Sequence, residues 1–336
     1  MFWPWVSVPV RIPGWPGDVN VVCTSDEAVH WKTLPQKLLI VGGGVIGCEF
    51  ACLMNAMGVQ VTIVELLPRL LPTLDAELGA GLEKIFKARG ITLHLQTKVD
   101  DLQLIQGGTT AQAKLSNNSS LDVDRVLVCV GRANTKNLGL EALGVNLSKK
   151  GFVPVDDSMQ TNKSGLYCIG DANGRCLLAH AASAHGIAAV ENALGHGHAF
   201  TAPIPSAVYT FPEVGSVGLT QEECVAQGLP VSIGKFPLGY LGKAMAAQHT
   251  DGFVKVIRHR ETDAILGVHI LGHNATEYIA AAGTMVHQKA TVHDLAEVVF
   301  AHPTLSEAIK ESAEDALGMA LHLPPRKIHK LEALMT

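Results

Sequence analysis

Short apolar runs bounded by glycine alternate along this chain with longer stretches whose apolar positions recur at helical spacing. The clearest case is Lys37 to Glu65. Leu38-Leu39-Ile40-Val41 has the length and branching of a buried strand. A helix is predicted from Val45 to about Met57, with Ile46, Phe50, Leu53, Met54 and Met57 on its apolar side and Gly58 closing it. A second strand, Val59 to Val64, ends on Glu65. Further on, Asp75 to Arg89 reads as a helix with Thr73 as its cap. Ile91–Gln96, Leu102–Ile105 and Ala111–Leu115 read as strands, and Arg125 to Arg132 as a buried strand running into Gly131.

After a polar connector from Gly151 to Ser164, the strand Gly165–Asp171 ends in Gly-Asp, and a helix rich in small residues follows from Ala179 to Leu194. From Ile204 the pattern becomes short strands (Val208–Thr210, Val214–Gly218, Phe253–Ile257, Ile265–Ile270) and then helices at Glu277–Lys289, Thr291–Val298 and Leu305–Met319. The first residues are unlike the rest. Three of four tryptophans and four prolines fall within the first sixteen positions, so the opening reads as irregular, followed by a short strand over Val19–Thr24 and a short helix before Pro35. It lacks the basic region and small-residue cleavage site of a signal peptide. The reading is an α/β protein: an irregular leader over 1–35, a nucleotide-binding domain over 36–155, a further strand–helix segment over 156–203 and an α+β domain over 204–336.

The spacing between strand and helix carries chemistry. Gly42, Gly44 and Gly47 form G-x-G-x-x-G, which permits a tight turn, close approach of backbone to a pyrophosphate, and close packing of helix on sheet. Free N–H groups at the helix start hold the anion. Glu65, 18 residues after Gly47, is placed to accept hydrogen bonds from an adenosine ribose and to repel a 2′-phosphate, which points to NAD.

Composition narrows the class. The 336 residues are 47% hydrophobic and 17% charged with a net charge of −5, which gives no electrostatic case for nucleic acid or a membrane surface. The seven cysteines form no CxxC, and Cys48 and Cys52, four apart on one helix, have poor disulfide geometry; buried thiols in a reducing cytoplasm are expected. No metal-ligand spacing occurs among the 15 histidines, and His196 and His198 read as a solvated loop. Asp171, at a strand's carboxyl end, reads equally as a ligand for hydroxyl groups or as a turn aspartate. Thr304 and Glu307 have the spacing of a T-x-x-E capping box, while Glu307 is also placed to orient His302 as an acid–base group.

Taken together, LLIVGGGVIGCEFA, VLVCVGRANTKNLGLE, LYCIGDANG, LAHAASAHGIAAVE, VYTFPEVGSVGLT, GVHILGHNATE and AHPTLSEA resemble the dihydrolipoamide dehydrogenases, a family of flavin-dependent disulfide oxidoreductases. The match runs in order from about Val19 to Leu317. The resemblance implies a Rossmann-type NAD domain, the C-terminal half of an FAD-binding domain and a C-terminal dimerisation domain. It implies FAD and NAD as cofactors, a homodimer, and lipoyl domains of 2-oxo acid dehydrogenase complexes as partners. Gly42, Gly43, Gly44, Val45, Ile46, Gly47, Glu49 and Glu65 would form the NAD site, with Gly131 beside the nicotinamide nucleotide. Asp171 would bind the ribitol of FAD, and Leu177, Leu178, Ala179 and His180 would pass beneath the flavin. His302 would be the active-site base, oriented by Glu307 and lent to the partner subunit.

The family also begins with its own FAD-binding βαβ unit and a redox-active CxxxxC, and neither motif occurs in this sequence. The expectation is an N-terminally truncated member, as a frameshift, a misplaced start or a degenerate gene would produce. Such a chain would be inactive in lipoamide turnover. Another NAD-linked flavoprotein disulfide reductase, or a non-catalytic NAD-binding or dimerising remnant, are the alternatives. The family lysine that would pair with Glu49 is also missing, so Glu49 is expected to be exposed or to have found a local partner.

Overall fold

The computed structural model describes residues 2–4, 7–133, 139–197 and 199–324, so part of the VLVCVGRANTKNLGLE motif, His198 and the last residues of the C-terminal domain lie outside the described residues. The chain divides into two compact units, Met1–Thr210 and Phe211–Thr336.

In the first unit the leader supplies β1 (Phe2–Pro4) and β2 (Val8–Pro9), followed by β3 (Val22–Thr24) and the short α1 (Ser25–Ala28). The chain then runs β4 (Lys37–Val41), α2 (Val45–Ala56), β5 (Gln60–Val64), α3 (Ala76–Ala88), β6 (Thr92–His94), β7 (Val99–Ile105), β8 (Thr110–Leu115), β9 (Ser120–Val123) and β10 (Arg125–Val128). Five strands pair in the order β3-β10-β4-β5-β6, each with its neighbour in parallel. Their residues are apolar on both faces because both are covered. The antiparallel meander β7-β8-β9 packs Leu102, Ala111, Ala113, Leu115 and Val123 against Leu39, Val41, Val64 and Val126. On the helical side, α3 buries Leu78, Leu82 and Phe86. The cap of α3 is Asp75, whose carboxylate accepts the Glu77 amide at 3.1 Å, rather than Thr73.

The face of α2 differs from the expected one. Gly47, Cys48, Ala51, Cys52 and Met54 are buried, whereas Leu53 and Met57 are 48% and 44% exposed. Helix and sheet approach so closely that only small residues fit between them. A Cβ on Gly47 would stand 2.0 Å from the Gly42 carbonyl oxygen.

The leader also differs from expectation, since it is not irregular throughout. The remaining strands of the unit are β11 (Arg132–Ala133), β12 (Tyr167–Ile169) and β13 (Ser206–Val208), with α4 (Ala179–Ala193) between the last two. β1 lies parallel to β12, and β2 antiparallel to β11. The strand that leads to Asp171 therefore has a neighbour, and its Tyr167 and Cys168 are buried rather than presented as apolar edges. Prolines at the ends of β1 and β2 suit short edge strands, which need no proline N–H.

The second unit is α+β. It runs β14 (Glu213–Gly218), α5 (Gln221–Ala226), β15 (Val231–Pro237), α6 (Gly242–Ala246), β16 (Phe253–His259), β17 (Ile265–Gly272), α7 (Ala275–His287), α8 (Val292–Glu297) and α9 (Glu307–Ala316). Within the unit the strands pair antiparallel in the order β14-β17-β16-β15. Helix α9 is pinned to them: the Lys235 amide donates to Asp315 at 2.8 Å, and Ser312 Oγ donates to the Val254 carbonyl at 3.0 Å. These contacts fix the helix whose first residue is Glu307.

Candidate functional site

The nucleotide turn is built by backbone crowding. Gly42 sits at φ +112, where L side chains are strained, and a Cβ there would meet the Cys129 carbonyl oxygen at 2.4 Å. Thus the ends of β4 and β10 close on one another. Gly44, by contrast, faces open space: a Cβ built on it would have no atom within 4 Å. No side chain caps the start of α2, where Gly44 is the N-cap and Val45 and Ile46 begin the first turn. An uncapped helix start under an open glycine fits a pyrophosphate, whose oxygens would take those N–H groups.

Glu65 is drawn into this turn more tightly than its spacing foretold. Its Oε2 accepts the Gly43 amide at 2.5 Å and its Oε1 the Leu67 amide at 2.7 Å, and the residue is 7% exposed. Gly43 has its own steric reason: a Cβ there would stand 2.7 Å from Leu70 and 3.2 Å from the Cβ of Glu65. The glutamate therefore latches the glycine turn to the end of β5. Each oxygen keeps a second lone-pair direction able to accept from a hydroxyl group. Gly131, at φ +122, ends the exposed loop after β10.

Glu49, on α2, has the local partner expected as one of its two outcomes. Its Oε1 accepts the Tyr209 amide at 2.9 Å, and no cation of the described residues lies within salt-bridge distance. Burial pushes its carboxyl above the usual range, and the Tyr209 bond pulls it partly back.

Asp171 lies on a single 3₁₀ turn, Gly170–Asn173, at the end of β12. Its carboxylate does not cap that turn; Oδ2 accepts from the Ser7 hydroxyl of the leader. Leu177 and Leu178 follow, Ala179 opens α4, and the His180 Nε2–H donates to the Pro205 carbonyl at 2.7 Å. Leu177, Ala179 and His180 are exposed. The partner of Asp171 could not be read from the sequence, because Ser7 lies 164 positions away.

In the second unit His302 and Glu307 do meet. His302 Nδ1–H donates to Glu307 Oε1 at 2.8 Å, while Glu307 Oε2 accepts the Thr304 amide at 2.7 Å. The capping box is half formed, since Thr304 Oγ1 donates to the Ala301 carbonyl instead of receiving the Glu307 amide. Glu307 thus makes both contacts that the sequence left open. With Nδ1–H committed, Nε2 carries the free lone pair, and the His302 side chain is 77% exposed.

Five of the thiols are poor nucleophiles. Burial, the largest effect in each case, pushes Cys23, Cys129 and Cys168 up to about 12 and raises Cys48 and Cys176 as well.

Comparison with known proteins agrees with these parts. Residues 6–186 match the pyridine nucleotide-disulphide oxidoreductases and residues 204–313 the dimerisation domain of the same group. The first match starts well ahead of Val19, inside the leader. A dihydrolipoyl dehydrogenase of Bacillus subtilis is 41% identical over 322 residues, spanning 94% of this chain and 68% of its own length. That of Chlorobaculum tepidum is 40% identical over 316 residues, spanning 93% and 67%. Among solved structures, LpdA of Mycobacterium tuberculosis superposes with a TM-score of 0.86 at 28% identity, covering 93% of this chain and 68% of that one. RclA of Escherichia coli, an HOCl-induced flavoprotein disulfide reductase in its copper complex, gives 0.83 at 25% identity, covering 92% and 70%. The chain belongs to the pyridine nucleotide-disulphide oxidoreductases and, within them, to the dihydrolipoyl dehydrogenases, flavin-dependent oxidoreductases that use FAD and NAD(H).

Proposed function

We propose that this chain binds NAD at the turn between Gly42 and Glu65 and belongs to the reaction dihydrolipoyl dithiol plus NAD⁺ to lipoyl disulfide, NADH and a proton. The observation that carries the reading is the open, uncapped start of α2 above a glycine turn latched by Glu65. In that site Gly44, Val45 and Ile46 offer N–H groups to the pyrophosphate, and Glu65 and Gly131 flank the two nucleosides. The negative charge of Glu65 works against a 2′-phosphate. Titration of the purified chain should show NAD⁺ bound at least tenfold more tightly than NADP⁺, and tighter NADP⁺ binding would refute the assignment.

Bound FAD supplies the passage of an electron pair between a dithiol and NAD. Toward it this chain offers the Asp171 carboxylate for hydroxyl groups and the Leu177–His180 segment as a surface. His302, aimed by Glu307, takes up and returns thiol protons at Nε2 and is presented to a second copy of the chain. Lipoyl domains of 2-oxo acid dehydrogenase complexes are the protein partners this reaction calls for. Among the described residues no helix is long and apolar enough to cross a membrane. The burial of Cys23, Cys48, Cys52, Cys168 and Cys224 suits thiols in a reducing cytoplasm.

The chain itself holds only part of this machinery. No two of its cysteines stand in C-x₄-C spacing, and the sequence has a single G-x-G-x-x-G. A dithiol substrate is oxidised through an enzyme disulfide, which needs a thiolate to attack and a second cysteine to resolve. The chain alone is therefore proposed to bind nucleotide without lipoamide turnover. The likeness to RclA favours, as a second reading, a disulfide reductase with another substrate. Turnover of other disulfides in preference to lipoamide would select it.

A further inference from the structure

The Asp171 carboxylate is the end of a chain of polar groups that no local motif announces. Ser7 is 2% exposed and stands between two charged side chains. Its hydroxyl carries one proton, which it donates to Asp171 Oδ2, so its oxygen is left to accept. The acceptor site is filled by Arg132 Nε–H at 2.7 Å, and a second nitrogen of the same guanidinium donates to the Ser7 carbonyl. One guanidinium thus grips one serine at two points, a fork that lysine cannot reproduce. Arg132 is itself held by the strand pairing of β11 with β2, by the Val10 amide bound to the Gly131 carbonyl at 3.0 Å, and by Asp26 4.0 Å from its Nη1. Among the described residues no hydrogen bond reaches Asp171 Oδ1.

We propose that Ser7 and Arg132 are positioning residues for Asp171: they commit Oδ2, fix the carboxylate plane and leave Oδ1 as the single acceptor aimed at a ligand hydroxyl. The inference rests on the reading of Asp171 as the residue that binds the ribitol hydroxyls of a flavin. It adds that the leader is part of that site, and that the aim of Asp171 is set from β11, directly after Gly131. An unassisted carboxylate on a single 3₁₀ turn would rotate about its side-chain torsions. A hydrogen bond polarised by a guanidinium on its far side is stronger than a neutral one, and losing it is of the order that costs about tenfold in binding.

The chain also carries its own reporter. Cys176 is partly buried, and the charge of Asp171, after burial, raises its thiol. If Ser7 holds that charge in place, removing Ser7 changes how the thiol titrates.

The test uses the full chain with Ser7→Ala, Arg132→Met and, as the conservative variant, Ser7→Thr. FAD affinity is read by quenching of flavin fluorescence, and the pH profile of Cys176 alkylation by peptide mass spectrometry. Ser7→Ala and Arg132→Met should each weaken FAD binding about tenfold and displace the Cys176 profile, while Ser7→Thr stays within about twofold of the unaltered chain. NAD⁺ affinity of Ser7→Ala should not change. The proposal is overturned if Ser7→Ala leaves the Cys176 profile and FAD affinity as they were, or if NAD⁺ affinity falls in parallel, which marks general loosening. Should the unaltered chain take up no FAD, the flavin reading of Asp171 fails, and the Cys176 profile alone still decides whether Ser7 holds the carboxylate.

Discussion

Glu49 sits partly buried on α2 with one backbone donor and, among the described residues, no cation at salt-bridge distance, a costly place for a full charge. Its pKa is raised above 4.5, chiefly by burial, so the folded state holds its proton more tightly than the unfolded chain does. Stability from this group is therefore present below about 4.5 and is lost as pH rises through the higher folded value. Glu49→Gln keeps an oxygen for the Tyr209 amide and removes the charge. The variant should be more stable than the parent at neutral pH by about 1 kcal/mol or less, since the site is part-exposed and screened. The gap should close toward pH 4.5, as urea unfolding at several pH values will show. A large loss of stability at neutral pH would mean that Glu49 has a partner yet to be identified. Glu65 is the contrasting case: two amides hold its carboxylate inside the turn.

Among the elements, α9 decides where the His302–Glu307 pair stands. The helix lies on β15 so closely that a Cβ on Gly234 would meet the Ser312 carbonyl at 1.9 Å and the Ala316 amide at 2.5 Å, both backbone atoms that cannot swing away. Gly234→Ala should cost about 3 kcal/mol in urea unfolding of the second unit, whereas Gly239→Ala, with no atom within 4 Å of its Cβ, should change stability by less than about 0.5 kcal/mol. Equal tolerance at both positions would count against the packing described. The same glycine explains why β15 was not legible in the sequence. Val231–Pro237 carries a glycine and a proline and looks like a loop, although the glycine is there for the helix above it. In α2 the span was legible, because glycine punctuation and periodicity are local signals. Its buried face was not: large apolar residues suggested one side, and close packing at Gly47 selected Cys48, Ala51 and Cys52 instead. In the leader the strand ending at Thr24 and the short helix after it were legible, but β1 and β2 were not, because each is made by a partner more than a hundred positions away, which local pattern cannot show. Of the candidate site residues, the Gly42–Gly47 turn, Glu65 and the His302–Glu307 contact follow from spacing, and the Ser7–Asp171 contact follows only from the fold.

At the scale of the whole molecule, residues 6–186 match the pyridine nucleotide-disulphide oxidoreductases and residues 204–313 their dimerisation domain. Val299, 91% exposed three residues before His302, and the exposed His302 itself suit a surface that a second copy covers. Light scattering should give a homodimer at micromolar concentration, and a stable monomer at high concentration would contradict it. We propose that the chain keeps the NAD turn and the His302–Glu307 pair while its sequence holds no C-x₄-C pair for dithiol exchange. The rate of NADH formation from dihydrolipoamide and NAD⁺, with FAD supplied and purified chain already shown to bind NAD⁺, decides this. No rate above the protein-free control is expected; sustained NADH production that scales with the amount of chain would contradict it.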